Sequence, residues 1–369
     1  MKRKVIWIVV ITIIFGVIFG VTLLSKNNIS ADKKKVYAVL PLTGSTANVG
    51  QNAKKAIDVY LKLHKESKID VVFLDAESSA SKALSSISQA TVGDQNPIVL
   101  TVFSFLSNSI IAPIEEKNGF TFGMVTINVN SSHVKNSKAY QRICWGIPDV
   151  VLPLCDYIKA RDVSKLAIIY LDDEYGVGHK DGLKEAFQSR GGRVVKEEPF
   201  SLSSTDVRDS INKIVASKPD AIFVSGIAST AYINVLKTLL SVRYGGEIVT
   251  DTAFSNPYVP ESLGKDAEKI TFVCAASDII DRKDASSDFV HVCQMNDLKP
   301  YYVTAQVFDA MSIIDFIIDS QLDFSQNTLD RMKDFSGVTH ELKILPHGEC
   351  SYPCKVVRIV DGRVEEVRF

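Results

Sequence analysis

Short apolar runs alternate with segments of helical periodicity from residue 36 almost to the end of the chain, and this alternation leaves few folds open. Val36–Leu40, Ile69–Leu74, Ile98–Val102 and Thr121–Val125 are too short for helices and read as buried strands. Between them, Gln51–Glu66 carries Ala53, Ala56, Ile57, Tyr60 and Leu61 on one helical face, and Ser79–Ala90 and Ser107–Lys117 read as further helices. The pattern then repeats. Helices are predicted over Val151–Arg161, Gly178–Arg190, Thr205–Ser217, Ser229–Val242 and Tyr302–Ser320. Strands are predicted over Leu166–Tyr170, Val194–Glu198, Ala221–Val224, Ile248–Thr250 and Ile270–Cys274. Strand–helix repetition of this kind makes parallel sheets covered by helices on both faces, an α/β fold. The end departs from it. Leu342–Leu345, Lys355–Ile359 and Arg363–Val367 read as antiparallel strands, and Asp361-Gly362 between the last two is a type I′ hairpin signal.

A chain of 369 residues exceeds what one core usually holds, so two lobes are expected. Lys and Arg number 42 against 43 Asp and Glu, a balance that gives no support for nucleic-acid binding. The first 35 residues stand apart. Lys2, Arg3 and Lys4 precede an uncharged run from Val5 to Leu24, long enough as a helix to cross a bilayer core of ~30 Å. The length of this run, and the lack of a good small-x-small cleavage site, favour an uncleaved signal-anchor over a signal peptide. No Cys lies nearby for a lipoprotein anchor. The basic start places the body outside the cell membrane, although Lys33–Lys35 weaken the charge asymmetry. Gly16 and Gly20 form a GxxxG pattern, read as two tolerated glycines.

The six cysteines, Cys144, Cys155, Cys274, Cys293, Cys350 and Cys354, all fall in the exported part and permit up to three disulfides. Cys350 and Cys354 are the favoured pair because Ser-Tyr-Pro between them reads as a turn. A CxxxC zinc half-site is the rival reading, but no second ligand pair lies nearby. Other patterns are decoys. Gly176-Val177-Gly178 with Gly182 is wrongly placed after its strand for a dinucleotide loop. Ser79-x-x-Lys82 lacks the companions of an acyl-enzyme serine and reads as a helix start. Asp172-Asp173-Glu174 reads as an acidic helix N-terminus rather than a metal site. The six histidines (His64, His133, His179, His291, His340 and His347) show no metal spacing and read as scattered surface residues. No metal or cofactor is expected, and no nucleophile–base pair marks an enzyme.

An ordered series of segments carries a resemblance. Val36 to Leu61 is similar to the opening strand, ligand loop and first helix of type I periplasmic solute-binding proteins of the leucine/isoleucine/valine-binding group. Ala112 to Gly119 resembles that family's third helix, Leu166 to Val195 is the most specific match, and Thr205 to Gly226 resembles the next helix–strand unit. Phe335 to Thr339, with the hairpin Val357 to Val367, resembles the family's ending. The resemblance implies two doubly wound lobes joined by three crossings near 142–148, 274–279 and 333–339, with a ligand cleft between the lobes. Lobe 1 would comprise 36–143 and 277–334, and lobe 2 would comprise 146–275 and 336–369.

A free amino acid needs hydroxyls and N–H groups for its carboxylate, a carboxylate for its ammonium, and an apolar or aromatic wall. By resemblance, Thr43 and Gly44 line the cleft, Ser104 sits in the carboxylate loop, and Tyr175 stacks on the ligand from the second lobe. Asp251 falls near the acidic residue that pairs with the ammonium. Phe105 and Ile227 depart from the family pattern, which has a hydroxyl and an aromatic there, while Thr126 and Asn128 fall in the next strand-end loop. The reading is a non-catalytic protein that captures a small polar solute, amino-acid-like by default. It would deliver that solute to an ABC-type importer through its permease. The alternative is a membrane-anchored sensor of the same fold. Only Ser25 to Lys34 separate the apolar run from the body, a reach of at most ~35 Å.

Overall fold

A computed structural model describes residues 33–124, 137–275, 288–338 and 342–369. The Val5–Leu24 run, Thr126, Asn128, His133 and His340 lie outside these residues, as does most of the crossing expected near 274–279. Among the described residues no helix is long and apolar enough to cross a membrane.

The first sheet contains β1 (Lys34–Leu40), β2 (Ile69–Asp75), β3 (Ile98–Val102), β4 (Phe120–Met124) and β5 (Tyr140–Ile143) in the order β2-β1-β3-β4-β5. The β1–β3, β3–β4 and β4–β5 pairs are parallel. β3 and β4 are buried along their whole length, which explains their unbroken apolar runs. The connecting helices are α1 (Ala47–Leu63), α2 (Ala80–Ala90) and α3 (Ser104–Glu115). Ser79 caps α2 by accepting from the Lys82 N–H, so the Ser-x-x-Lys motif is a helix start.

The chain then passes through α4 (Ile147–Ala160) into a second sheet. This contains β6 (Lys165–Leu171), β7 (Arg193–Phe200), β8 (Ala221–Ser225), β9 (Glu247–Thr250) and β10 (Ile270–Ala275), interleaved with α5 (Glu174–Ser189), α6 (Arg208–Ala216), α7 (Thr230–Ser241) and the short α8 (Tyr258–Leu263). Its parallel strands run β7-β6-β8-β9-β10, so the second sheet repeats the strand order of the first. In sheets of this order the direction of winding reverses between β1 and β3 and between β6 and β8. Ligands of open α/β sheets bind at such points, beyond the carboxyl ends of the strands.

After α9 (Asp288–Met295), the long α10 (Tyr302–Asp319) packs on α1 and β4, which returns the chain to the first sheet, and the short α11 (Gln326–Asp330) follows. The ending differs in part from expectation. Lys343–Leu345 (β11) pairs with Glu349–Ser351 (β12) in a hairpin of its own beside β5, where the Gly348 carbonyl accepts from the Arg142 N–H at 2.9 Å. Only β13 (Cys354–Val360) and β14 (Arg363–Glu366) extend the second sheet, antiparallel to β10 and to each other. The predicted type I′ turn is present, with φ of 49° at Asp361 and 77° at Gly362.

All six cysteines carry free thiols in this structure, so Cys350 and Cys354 are not joined, nor is Cys144 to either. Cys350 and Cys354 belong to β12 and β13, which sit in different sheets, so the expected turn between them is instead a passage from one sheet to the other. The glycines of Gly176-Val177-Gly178 and Gly182 serve packing. A Cβ on Gly176 would meet the Leu171 carbonyl oxygen at 2.0 Å, and Cβ atoms on Gly178 and Gly182 would meet Ile147 at 2.7 and 2.5 Å. The absence of side chains there is what lets α5 lie against α4 and the end of β6.

Candidate functional site

The carboxyl ends of β1 and β3 place two of the predicted loops together. The Thr43 hydroxyl donates to Asp75 Oδ2 at 2.8 Å, and Asp75 Oδ1 accepts from the Leu42, Thr43 and Glu77 N–H groups at 2.9, 3.2 and 2.8 Å. Burial pulls the Asp75 carboxyl up, but these donors outweigh it and hold it below the usual carboxylate range. Gly44 has φ of 91°, and a Cβ there would meet Ser78 Oγ at 2.6 Å. Thr43 and Gly44 are therefore an exposed turn pinned by Asp75 and Ser78, with the Thr43 proton already committed.

At the end of β3 the chain enters α3 through Phe103, which has φ of 65° and ψ of 144°. That region is almost reserved for glycine and costs a side-chain-bearing residue roughly 1–3 kcal/mol. Two contacts hold it: the Phe103 N–H donates to the Met124 carbonyl at 3.0 Å, and its own carbonyl accepts from the Ser107 N–H and hydroxyl. Nothing in the sequence signals this backbone, and α3 starts at Ser104 rather than at the expected Ser107. Ser104 is buried in the first turn, and the half-buried Phe105 ring stacks on Phe103 at 5.7 Å. Among the described residues no side-chain hydrogen bond caps α3 at Phe103, where the positive end of the helix dipole lies.

The second sheet supplies the opposite side. Asp173 caps α5 by accepting from the Gly176 N–H at 2.9 Å, which starts the helix early and puts Tyr175 on its first turn. The buried Tyr175 hydroxyl lies 3.0 Å from Thr252 Oγ1. Burial, and then the neighbouring Asp251 carboxylate, push that hydroxyl well above its usual range. One turn on, His179 is fully buried, with its ring 4.4 Å from that of Tyr175. This corrects the surface reading of the histidines; of the other described ones, His64, His291 and His347 are exposed. Burial drives the His179 ring down to about 3, so it is neutral. Its spacing of four from Tyr175 was the available signal.

Asp251 follows β9 and is wholly buried. Its Oδ2 accepts from the Ser225 hydroxyl at 2.7 Å and the Gly226 N–H at 3.0 Å, and its Oδ1 accepts from the Ala253 N–H at 3.0 Å. Burial nevertheless raises it to about 7, despite those donors, because no cation balances it. Its one ionisable basic neighbour within 4 Å among the described residues is the neutral His179, at 3.9 Å. Ile227, next along from Gly226, is buried in the core.

The two sides meet. The Asn108 amide on α3 hydrogen-bonds the Glu174 carboxylate on α5. Tyr175 is within electrostatic reach of Tyr302, at the start of α10, and Tyr302 packs edge-on against Trp145 at 5.1 Å. The buried Trp145 Nε1–H finds no hydrogen-bond partner among the described residues. Sequence reading missed Phe103, Trp145, His179, Thr252 and Tyr302, because their placement is set by the fold rather than by local pattern.

With this geometry in place, comparison with known proteins is informative. The family model for periplasmic binding proteins matches residues 35–314. The chain belongs to the periplasmic binding protein family. Its two parallel sheets take the type I fold of periplasmic binding proteins. A Leu/Ile/Val-binding protein homolog of Brucella abortus is 26% identical over 202 residues, 52% of this chain and 50% of that protein. The chain thus spans about half the length of the curated relatives it matches. The leucine-binding protein LivK of Thermotoga maritima superposes with a TM-score of 0.80 at 17% identity, covering 91% of this chain and 98% of that one. LivJ of Streptococcus pneumoniae, solved with isoleucine, gives 0.77 at 16% identity, covering 90% and 98%. A solute-binding protein of R. palustris, solved with 4-hydroxybenzoate, gives 0.78 at 17%, covering 91% and 96%. Members of this family are extracytoplasmic solute-binding proteins rather than enzymes.

Proposed function

We propose that this periplasmic binding protein closes on a small amino-acid-like solute and hands it to the permease of an ABC-type importer. The ligand's ammonium would sit beside Asp251, its carboxylate at the open N-terminal end of α3, and its body against Tyr175, Phe105 and Ile227. Thr126 and Asn128 would complete the rim. We propose lobe 1 as 36–143 with 277–334 and lobe 2 as 146–275 with 336–369, and Val5–Leu24 as an anchor that keeps the body outside the membrane.

The observation that carries the reading is the Asp251 carboxylate. It is buried, raised to about 7 and lacks a cation among the described residues, so a ligand bearing one removes the cost of ionising it. The test is a thermal-shift screen on protein unfolded and refolded to strip carried-over ligand, using amino acids, their amine-free acid analogues and aromatic acids. At 100 times its dissociation constant a ligand adds roughly 2.7 kcal/mol, a rise of a few degrees. Amino acids should shift the transition, and their amine-free analogues should not. A response confined to acids without an amine sinks the ammonium assignment.

A further inference from the structure

We propose that Cys144 and Cys350 are a disulfide site that fastens the segment after β5 to β12. The Cys350 thiol is wedged against the backbone of Cys144: its Sγ accepts from the Cys144 N–H at 3.0 Å and donates to the Cys144 carbonyl at 2.6 Å. A sulfur lies about 2.8 Å from its own Cα. Contact with both backbone groups of one residue therefore leaves no more than about 7 Å between the two Cα atoms, within what a disulfide can span. The neighbouring contacts fix this register. The Gly348 carbonyl takes the Arg142 N–H at 2.9 Å, and the Glu349 carbonyl takes Gln141 Nε2 at 3.0 Å.

The surroundings hold both partners in place. The Arg142 side chain is buried, donates to the Trp145 and Cys350 carbonyls at 2.8 and 3.1 Å, and pairs with Glu349. Its guanidinium and the Tyr352 hydroxyl both lie within electrostatic reach of the two thiols. Cys354 points elsewhere, with its thiol 3.7 Å from the Tyr352 carbonyl.

The chemistry needs a disulfide oxidant such as oxidised glutathione or an oxidoreductase. One cysteine thiolate attacks the oxidant's S–S bond, forms a mixed disulfide and releases one thiol. The other thiolate attacks the mixed disulfide and releases the second. Two S–H bonds are lost, one S–S bond forms, and the oxidant leaves as two thiols. In the folded chain both side chains are buried, and burial pushes the Cys350 thiol up to about 12. The bond therefore forms while the chain folds and resists reduction afterwards. The inference rests on the extracytoplasmic reading only for the supply of oxidant.

The full chain, refolded in a glutathione redox buffer, is alkylated under denaturing conditions and digested without reduction. Mass spectrometry should find the Cys144 peptide linked to the Cys350 peptide, with alkyl groups on Cys155, Cys274, Cys293 and Cys354. The link should persist in Cys354→Ser and vanish in Cys350→Ser. Strong reductant should lower the melting temperature of the wild type by several degrees, and not that of the double Ser variant. Alkylation of both Cys144 and Cys350, or a link from either to another cysteine, overturns the proposal. A link formed in the redox buffer but absent from protein isolated from cells leaves the pairing standing and argues against an oxidising location.

Discussion

Replacing Asp251 by Asn separates the buried carboxylate's charge from its role as a cap. In the folded, ligand-free protein this acid titrates at about 7, against 3.8 for the free group. Between those values the folded state holds a proton that the unfolded chain has lost, so the residue's contribution to stability falls as pH rises. One proton is worth about 1.4 kcal/mol per pH unit, so across the window Asp251 costs on the order of 4 kcal/mol. Asn cannot ionise. It also deprives the Gly226 N–H of an acceptor, a pH-independent loss of about 1–3 kcal/mol. The variant should therefore be less stable than the wild type near pH 4 and gain on it steadily up to about pH 7. His179→Gln has the opposite sign. The folded ring stays neutral down to about 3, so its contribution is present above 6.5 and is lost as pH falls, and the variant should gain on the wild type in acid. Asp173, also raised by burial, to about 6, gives a background common to all three proteins. The measurement is guanidinium denaturation of ligand-stripped protein at several pH values across this range. Parallel stability curves for wild type and Asp251→Asn would falsify the buried-charge argument, and with it the basis for an ammonium ligand.

Other perturbations have outcomes of similar clarity. Gly176→Ala drives a methyl into the Leu171 carbonyl, so α5 should shift, with a loss of about 3 kcal/mol or more in denaturant melts and weaker ligand binding through Tyr175. Gly337→Ala places a Cβ 2.5 Å from the Asp309 carboxylate, which accepts from the Val338 N–H and the Tyr352 hydroxyl; calorimetry should show a loss of about 2–3 kcal/mol. Asp75→Ala strips the Thr43 turn of its acceptors and should cost about 2 kcal/mol at neutral pH by denaturant titration. Because the folded Asp75 titrates below its usual value, its charge-dependent contribution is present above pH ~4 and is lost in acid, where the gap between wild type and variant should narrow.

Periodicity made the sheets readable. Runs such as Ile98–Val102 and Ala221–Ser225 are buried on both faces, so their apolar sequence has one interpretation. The strand order within each sheet was not legible in the sequence, because local pattern does not encode which strands neighbour. Asp251 and Tyr175 were singled out through the family resemblance, which supplied positions that local pattern does not mark. Phe103 was invisible because its backbone is set by long-range contacts to Met124 and Ser107, against the preference of its own side chain. His179 was misread because a lone histidine in a helix has no sequence mark of burial. The Cys350–Cys354 pairing failed because the intervening residues carry the chain between sheets.

Residues 342–366 serve both halves: β11 and β12 form a hairpin of their own beside β5, and β13 and β14 continue the second sheet past β10. Until β13 is in place the β10 edge of the second sheet stands unpaired, so that sheet's last ladder joins strands far apart in sequence.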